Sequence, residues 1–307
     1  MTHHAIEYIN MSGTPQYFLS NLTTISALLG LNYSFILYLP NSITIIKQDA
    51  MYLRAIHAET SIKALFELIQ NSPLGVVTTA IPSTTQHFLQ SSHIPWVLDI
   101  ISDDPNAPVK GKLRGHMARA NPHSKTMIDA LNEAGLPSAS PLQQEVQVLF
   151  TTTTNHYVTP KFYAETKPTT AKVVPTWNYA AVQVHGKATI YHDSSAPETS
   201  EYLSKQIHDL SELCETSIMG YTGQGDKPES WKVTDAPDRY IDMMKKSIIG
   251  IEIIIEDIGG KYKMSQESSK GDRDGVIAGY ENLGTDIGRD MAALVRERGE
   301  MKDAAKK

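Results

Sequence analysis

Apolar residues recur along the chain with periods that change from segment to segment. Ile62, Leu65, Phe66 and Ile69 keep helical spacing, predicting a helix over 60–71 capped by Thr60 or Ser61. The β-branched run 74–79 and the run 93–100 predict strands, and Pro105, Asn106 and Pro108 mark a loop. A strand over 111–117 precedes a helix over 122–134 that closes at Gly135. Residues 145–152 alternate, with Val146, Val148 and Phe150 on one face of a half-buried strand. The stretch 173–192 is rich in Val, Thr, Tyr and Trp and predicts a long strand with Gly186 as a bend or turn. An amphipathic helix over 197–214 leads to a loop at 220–225, with Trp231 just beyond it. Asp235 is the expected cap of a helix reaching Ile248, with Pro237 in its first turn. The run 250–258 has too many isoleucines for a strand exposed on both faces, and 286–301 reads as a charged terminal helix. About six strands and five helices follow without regular βαβα alternation, which favours an α+β fold: an antiparallel barrel with peripheral helices.

The first fifty residues differ from the rest. They contain only Glu7, Lys47 and Asp49 as charged positions. The apolar stretch 25–39 is broken by Gly30, Asn32 and Ser34, and falls short of the ~20 apolar residues that span a bilayer. It lacks the basic start and the small-residue cleavage site of a signal peptide. The leader is expected to lie outside the fold; the alternatives are a membrane anchor over 17–46 or an ordered extension. Asn21-Leu-Thr23 and Asn32-Tyr-Ser34 fit the glycosylation pattern, which matters only in a secreted chain.

Composition narrows the class. With 41% hydrophobic and 20% charged residues over 307 positions, neither a many-span membrane protein nor a disordered chain is expected. The single cysteine excludes a disulfide framework and cysteine-based metal clusters, which suits a cytoplasmic protein. Cys214 shares a helical face with Ile207 and Leu210 and is expected in a core. The net charge of −6 disfavours broad phosphate-backbone binding. Lys245 and Lys246 make only a small basic patch and no helix-turn-helix pattern is evident, so DNA binding is not expected. Phosphate-loop, dinucleotide, nucleophile-elbow and zinc-protease motifs are absent from the sequence.

Four blocks carry a family likeness. They are Met51-Tyr-Leu-Arg54 through Glu59; Gly115-His-Met-Ala-Arg-Ala-Asn-Pro-His123; Val173-Val-Pro-Thr-Trp-Asn-Tyr-Ala-Ala-Val-Gln-Val-His-Gly186; and Lys261-Tyr-Lys-Met-Ser-Gln266 followed by Asp272-Arg-Asp-Gly-Val-Ile-Ala-Gly279. In this order and spacing they resemble the PaiB family of FMN-binding negative transcriptional regulators. The likeness covers residues 51–283 and leaves 284–307 as a charged C-terminal helix or tail. Members typically begin Met-Tyr-x-Pro, which makes Met51 a plausible start. Ala55 and Ile56 depart from the family's Pro-rich start, and the stretches 82–90 and around Gly220 are atypical insertions. The likeness implies an FMN-binding split β-barrel, usually a homodimer with the cofactor near the subunit interface, taking a small-molecule ligand. A neighbouring branch resembles haem-dependent piperazate synthases, so haem is the alternative cofactor.

Within that frame the residues divide by chemistry. His116 is the expected axial ligand if haem is bound, or else a structural imidazole. Arg119 and Asn121 suit a flavin phosphate or ribityl chain, a haem propionate, or a dimer ion pair and a turn. Lys167 is a candidate general base or anchor for an anionic substrate group, with Lys172 competing; a solvated loop lysine is the plain alternative. Trp177 and Tyr179 face one side of a strand and Asn178 the other, so they either contact a cofactor ring or belong to the core. Ser92 and His93, opening a strand, and Thr78 and Thr79, ending another, suit phosphate contact or proton transfer. Lys263, Ser265 and Gln266 offer donors at a strand end, for phosphate or flavin contact or for closing the barrel.

Overall fold

The computed structural model describes Met51 and residues 53–305. Of the leader it describes only the backbone of two short antiparallel strands, Tyr38–Leu39 (β1) and Ser42–Ile43 (β2), within a first unit, Met1–Gln48. The candidate anchor over 17–46 and both glycosylation patterns otherwise lie outside the described residues. The second unit, Asp49–Lys307, holds the fold.

Its strands are β3 (Ala58–Glu59), β4 (Leu74–Ala80), β5 (Leu89–Pro95), β6 (Val97–Ile100), β7 (Gly111–Ala118), β8 (Ser140–Thr151), β9 (His156–Val158), β10 (Thr176–Tyr191), β11 (Ile248–Ile254) and β12 (Asp257–Lys263). The helices are α1 (Ile62–Asn71), α2 (Pro122–Glu133), α3 (Thr166–Thr170), α4 (Pro197–Leu213), α5 (Asp238–Lys246), α6 (Lys270–Glu281) and α7 (Asp286–Ala304). The sheet runs β5-β4-β8-β10-β11-β7-β6, with β12 and β9 also on β10 and β3 on β12. The two ends of this path, β5 and β6, are joined through the single residue Trp96, so the sheet closes on itself as an antiparallel barrel. The fold is α+β, a split β-barrel with peripheral helices, as expected.

Alternation fills the barrel. On β10, Asn178, Ala180, Val182, Val184, Ala188 and Ile190 point inward and are fully buried. They meet Val146, Val148 and Phe150 of β8 and Ile249, Ile251 and Ile253 of β11. Trp96, 1% exposed, sits in the same core. The terminal helix α7 contributes Met291, Ala292 and Val295 to it.

Several elements differ from the sequence reading. The 93–100 strand breaks at Trp96 into β5 and β6, because the Trp96 N–H turns aside to the Pro73 carbonyl at 2.9 Å. Ser92 and His93 therefore lie inside β5 rather than at its start. The expected long strand begins at Thr176 rather than Val173. Gly186 is not a turn: β10 is continuous through it, and its pairing with β8 shifts register just beyond, between Lys187 and Thr189. One edge of β10 pairs with β12 up to His185 and with β11 from Ala188, and the carbonyl of Ile254 crosses where a Cβ on Gly186 would lie. The isoleucine run is not one unbroken strand over 250–258: β11 ends at Ile254, Ile255 and Glu256 interrupt the ladder, and β12 continues from Asp257 in the same direction along the same edge of β10. Asp235 does not cap α5; it ends a short 3-10 turn, and Pro237 occupies the cap position rather than the first turn. Cys214 is half-buried at the end of α4 rather than sealed in the core.

Candidate functional site

The barrel has two unlike halves. Over β11, β7 and β6 the outer surface is packed by α4: Tyr202 fits into the space left by Gly250, and its hydroxyl donates to the Ile251 carbonyl at 2.6 Å. Over β5, β4, β8 and the first half of β10 the outward positions, Ala181 apart, stay half-buried or exposed. The register aligns them in rows. One row runs Ser91, Thr78, Gln147, His185, Asp257; the next runs His93, Val76, Leu149, Gln183, Gly259. The Thr78 and Ser91 hydroxyls bond at 2.8 Å and Gln147 lies 3.3 Å from His185, so these side chains share one face. Leu74 and Leu89, 58% and 64% exposed, belong to the same wall.

At its β12 end the wall gathers positive charge. Tyr179 pairs with Lys263 and Ala181 with Lys261, so Lys261, Lys263 and Tyr179 share the outward side. Lys261 Nζ lies 5.2 Å from the Tyr179 ring centroid. Lys263 donates to Thr176 Oγ1 and to the Trp177 carbonyl at 2.9 Å. Burial holds Lys263 below the usual lysine range; Lys261 and Arg54 add to that, while Glu267 opposes it. Glu267, the carboxylate facing Lys263, is itself bonded to buried His57 at 2.9 Å. Trp177, 50% exposed, extends the aromatic surface against Tyr157 and bonds Asn155 at 3.0 Å.

Directly behind this cluster the chain is held rigid. Asn178, fully buried, exchanges bonds of 3.0 and 3.2 Å with Ser265, which adopts a left-handed φ of 59°. Gln266 accepts from the Met264 N–H at 2.6 Å, bracing the same turn. Trp177 and Tyr179 face out and Asn178 in, as the strand period requires.

The other expected residues lie elsewhere. Ser92 points inward, into a network that the sequence reading did not identify. His123, 1% exposed, bonds Thr79 at 2.9 Å through Nε2 and Ser92 at 3.0 Å through Nδ1. Asn121 caps α2, accepting from the His123 N–H, and its amide reaches Ser92 at 3.4 Å. Burial pushes His123 down to about 4, so it is neutral at pH 7. His93 points out onto the wall and is exposed. Lys167 is exposed on α3, whose first residue, Thr166, is tied to Asp272. Arg119 clasps backbone: it donates to the carbonyls of Lys246, His192 and Ile248 at 3.1, 2.6 and 3.3 Å. His116 lies outside the barrel beside Gly250, and its buried Nδ1 has no partner. The structure thus brings together Trp177, Tyr179 and Lys263 over Asn178, Ser265 and Gln266. Separately it brings Ser92 to Asn121. It leaves His116, Arg119, Lys167 and His93 apart from the charge cluster.

These donors suit one cofactor better than the other. Lys261 and Lys263 with Arg54 offer charge for a phosphate, Lys263 keeps a third N–H to give, and Tyr179 and Trp177 offer ring faces. A haem on His116 is less well served. Its Nδ1 has no acceptor to fix the ring, Tyr202 occupies the space over Gly250 next to it, and Arg119 is spent on carbonyls.

Comparison with known proteins agrees with the first reading. The family described as "Putative FMN-binding domain" matches residues 51–257. The chain belongs to this FMN-binding domain family. An uncharacterized protein of Aspergillus fumigatus is 54% identical over 260 residues, covering 82% of this chain and 99% of that protein. "Protease synthase and sporulation protein PAI 2" of Bacillus subtilis, a PaiB-like relative, is 26% identical over 249 residues, covering 81% and 98%. The solved flavocytochrome Anf3 of Azotobacter vinelandii aligns over 70% of this chain and 74% of its own at 10% identity, with a TM-score of 0.37, too loose a likeness to build on. The family match supports a general FMN-binding role. Among the described residues no helix is long and apolar enough to cross a membrane.

Proposed function

We propose that the chain binds FMN at the β12 end of the open wall, as a homodimer whose second copy covers that wall. The observation that carries this reading is the cluster of Arg54, Lys261 and Lys263 beside Tyr179, with Glu267 facing Lys263, on a chain whose net charge is −6. Cations left mutually repelling on an acidic protein mark a place where an anion completes the charge balance. The phosphate takes that place, and the isoalloxazine lies toward Tyr179 and Trp177. Bound FMN would supply electron and hydride transfer. The protein's own part is to hold the phosphate, present ring faces and keep the turn at Ser265 rigid through Asn178.

The homodimer rests on the wall itself. Leu74, Val76, Leu89 and Leu149 interleave with Thr78, Ser91, His93 and Gln147, the mixed apolar and hydrogen-bonding surface of an interface core. Regulation by this chain follows from flavin or ligand state rather than from direct DNA contact. The test is titration of purified protein with FMN, following quenching of flavin fluorescence, together with sedimentation. The expected result is saturable binding at one flavin per chain on a dimer. Absence of binding at about 100 μM flavin, a monomer, or a dimer with its outer wall still open to labelling at His93 overturns the reading.

A further inference from the structure

The stretch from Thr166 to Thr176 is held firmly at its two ends. At one end Asp272 accepts from the N–H groups of Glu165 and Thr166, each at 2.9 Å, and from the Thr166 hydroxyl at 2.5 Å. At the other, the Thr176 hydroxyl accepts from Lys263, and Thr176 pairs with Val158 of β9. Between these anchors, among the described residues, the hydrogen bonds of 167–175 run only within the stretch and to Glu165 and Thr166. α3 is a five-residue helix with no buried residue and no side-chain cap. It ends at Ala171 in a left-handed conformation, φ 55°, which a residue with a Cβ seldom adopts. Val174 stands 72% exposed. Few anchors, an exposed backbone and an apolar side chain left in water mark the low end of local stability.

This stretch also carries charge to the edge of the flavin site. Lys172 is exposed, and among the described residues its ammonium has no acceptor. Four residues separate it from Thr176, at most about 14 Å of chain, so it stays within reach of an anion on Lys263. Without that anion the cations already gathered there repel it, as Arg54 and Lys261 repel Lys263. A phosphate removes the repulsion and offers charged oxygens for a further ammonium.

We infer that residues 167–175 form a strap that closes over the phosphate of the bound flavin and brings Lys172 to it as a further ligand; this role rests on the flavin site proposed above. The Asp272 anchor and the Lys263–Thr176 contact are the hinges. Closure lets Ala171 leave the left-handed region and takes Val174 out of water toward the exposed Trp177 ring. A flavin without a phosphate leaves the strap open.

Trypsin reads the strap at one bond, Lys172–Val173, because the Lys167–Pro168 bond resists it. Cleavage of the full chain is followed by mass spectrometry with no ligand, with saturating FMN and with saturating riboflavin. Each rate is normalised to the cut after Lys232, in the exposed loop beyond α4. The expected result is that FMN slows the cut after Lys172 at least fivefold and riboflavin less than twofold. Lys172→Gln should weaken FMN about fivefold and leave riboflavin within twofold, while Lys172→Arg keeps FMN affinity. The position is exposed, so both variants keep the fold. FMN that binds without slowing the cut, riboflavin that protects equally, or a Gln variant with unchanged FMN affinity overturns the strap and leaves the flavin site standing. Absence of FMN binding removes the flavin site and the strap with it.

Discussion

Replacing His123 by Leu tests the buried network most severely. Leu fills a similar volume but supplies neither ring nitrogen, so the hydroxyls of Thr79 and Ser92 lose partners at 2.9 and 3.0 Å. Two under-bonded hydroxyls, at about 1–2 kcal/mol each, give a loss of about 2–4 kcal/mol at pH 7. The same residue sets a pH dependence. Burial lowers its folded value from 6.5 to about 4. Above pH 6.5 both folded and unfolded chains hold it neutral, so it exerts no pull. Between pH 6.5 and 4 the unfolded chain takes up a proton and the folded chain does not, so stability falls as pH falls. At about 1.4 kcal/mol per pH unit, the wild type loses about 3 kcal/mol over that window through this group alone. Urea unfolding at pH 7, 6 and 5 measures it. The Leu variant should be less stable at pH 7 yet lose less on acidification, so that the two curves converge. Parallel curves would show that His123 does not remain neutral in the folded state and would refute the reasoning.

Other substitutions probe the frame around the site. Gly186→Ala puts a methyl where the Ile254 carbonyl passes, so β10 and the β11–β12 junction must separate; a loss of about 3 kcal/mol or more is expected in thermal unfolding. Arg119→Ala frees three carbonyls and should cost about 1–3 kcal/mol while changing FMN affinity less than about twofold, because the guanidinium clasps backbone rather than cofactor. Arg298→Ala removes a guanidinium that lies 3.5 Å from the Tyr262 ring centroid and bonds Glu59 at 2.6 Å; the stranded, nearly buried carboxylate should cost about 3–5 kcal/mol and loosen α7 in hydrogen exchange.

Much of the architecture was legible because periodicity reports burial. The alternation at Val146, Val148 and Phe150 and the helical spacing at Ile62, Leu65, Phe66 and Ile69 both describe faces that the structure buries. The errors came where tertiary pairing overrides local pattern. Nothing in Trp96 announces that its N–H leaves the ladder for Pro73, and an isoleucine run looks the same whether it makes one unbroken strand or is interrupted at Ile255, whose N–H goes to the Gly111 carbonyl. Gly186 reads in the sequence as a bend or turn, and only the folded chain shows the Ile254 carbonyl passing where a side chain would lie. Within the site, Tyr179 and Lys263 were identified from their block, whereas Lys261 and Arg54 were not. Lys261 is two residues before Lys263, so strand alternation would have placed both outward had β12 been recognised. Arg54 lies in the segment before β3, and only the folded chain brings its charge to Lys263. His123 gave no such signal, since its partners are 44 and 31 residues away.

The central claim is that the phosphate of FMN is held by Lys261 and Lys263. Its most direct test compares FMN with riboflavin, which lacks the phosphate, in the wild type and in Lys261→Ala and Lys263→Ala. The account predicts that the wild type prefers FMN, that each substitution weakens FMN by roughly tenfold, and that riboflavin affinity changes less than about twofold. Equal affinity of the wild type for both flavins, or a parallel loss of both in the variants, would contradict it.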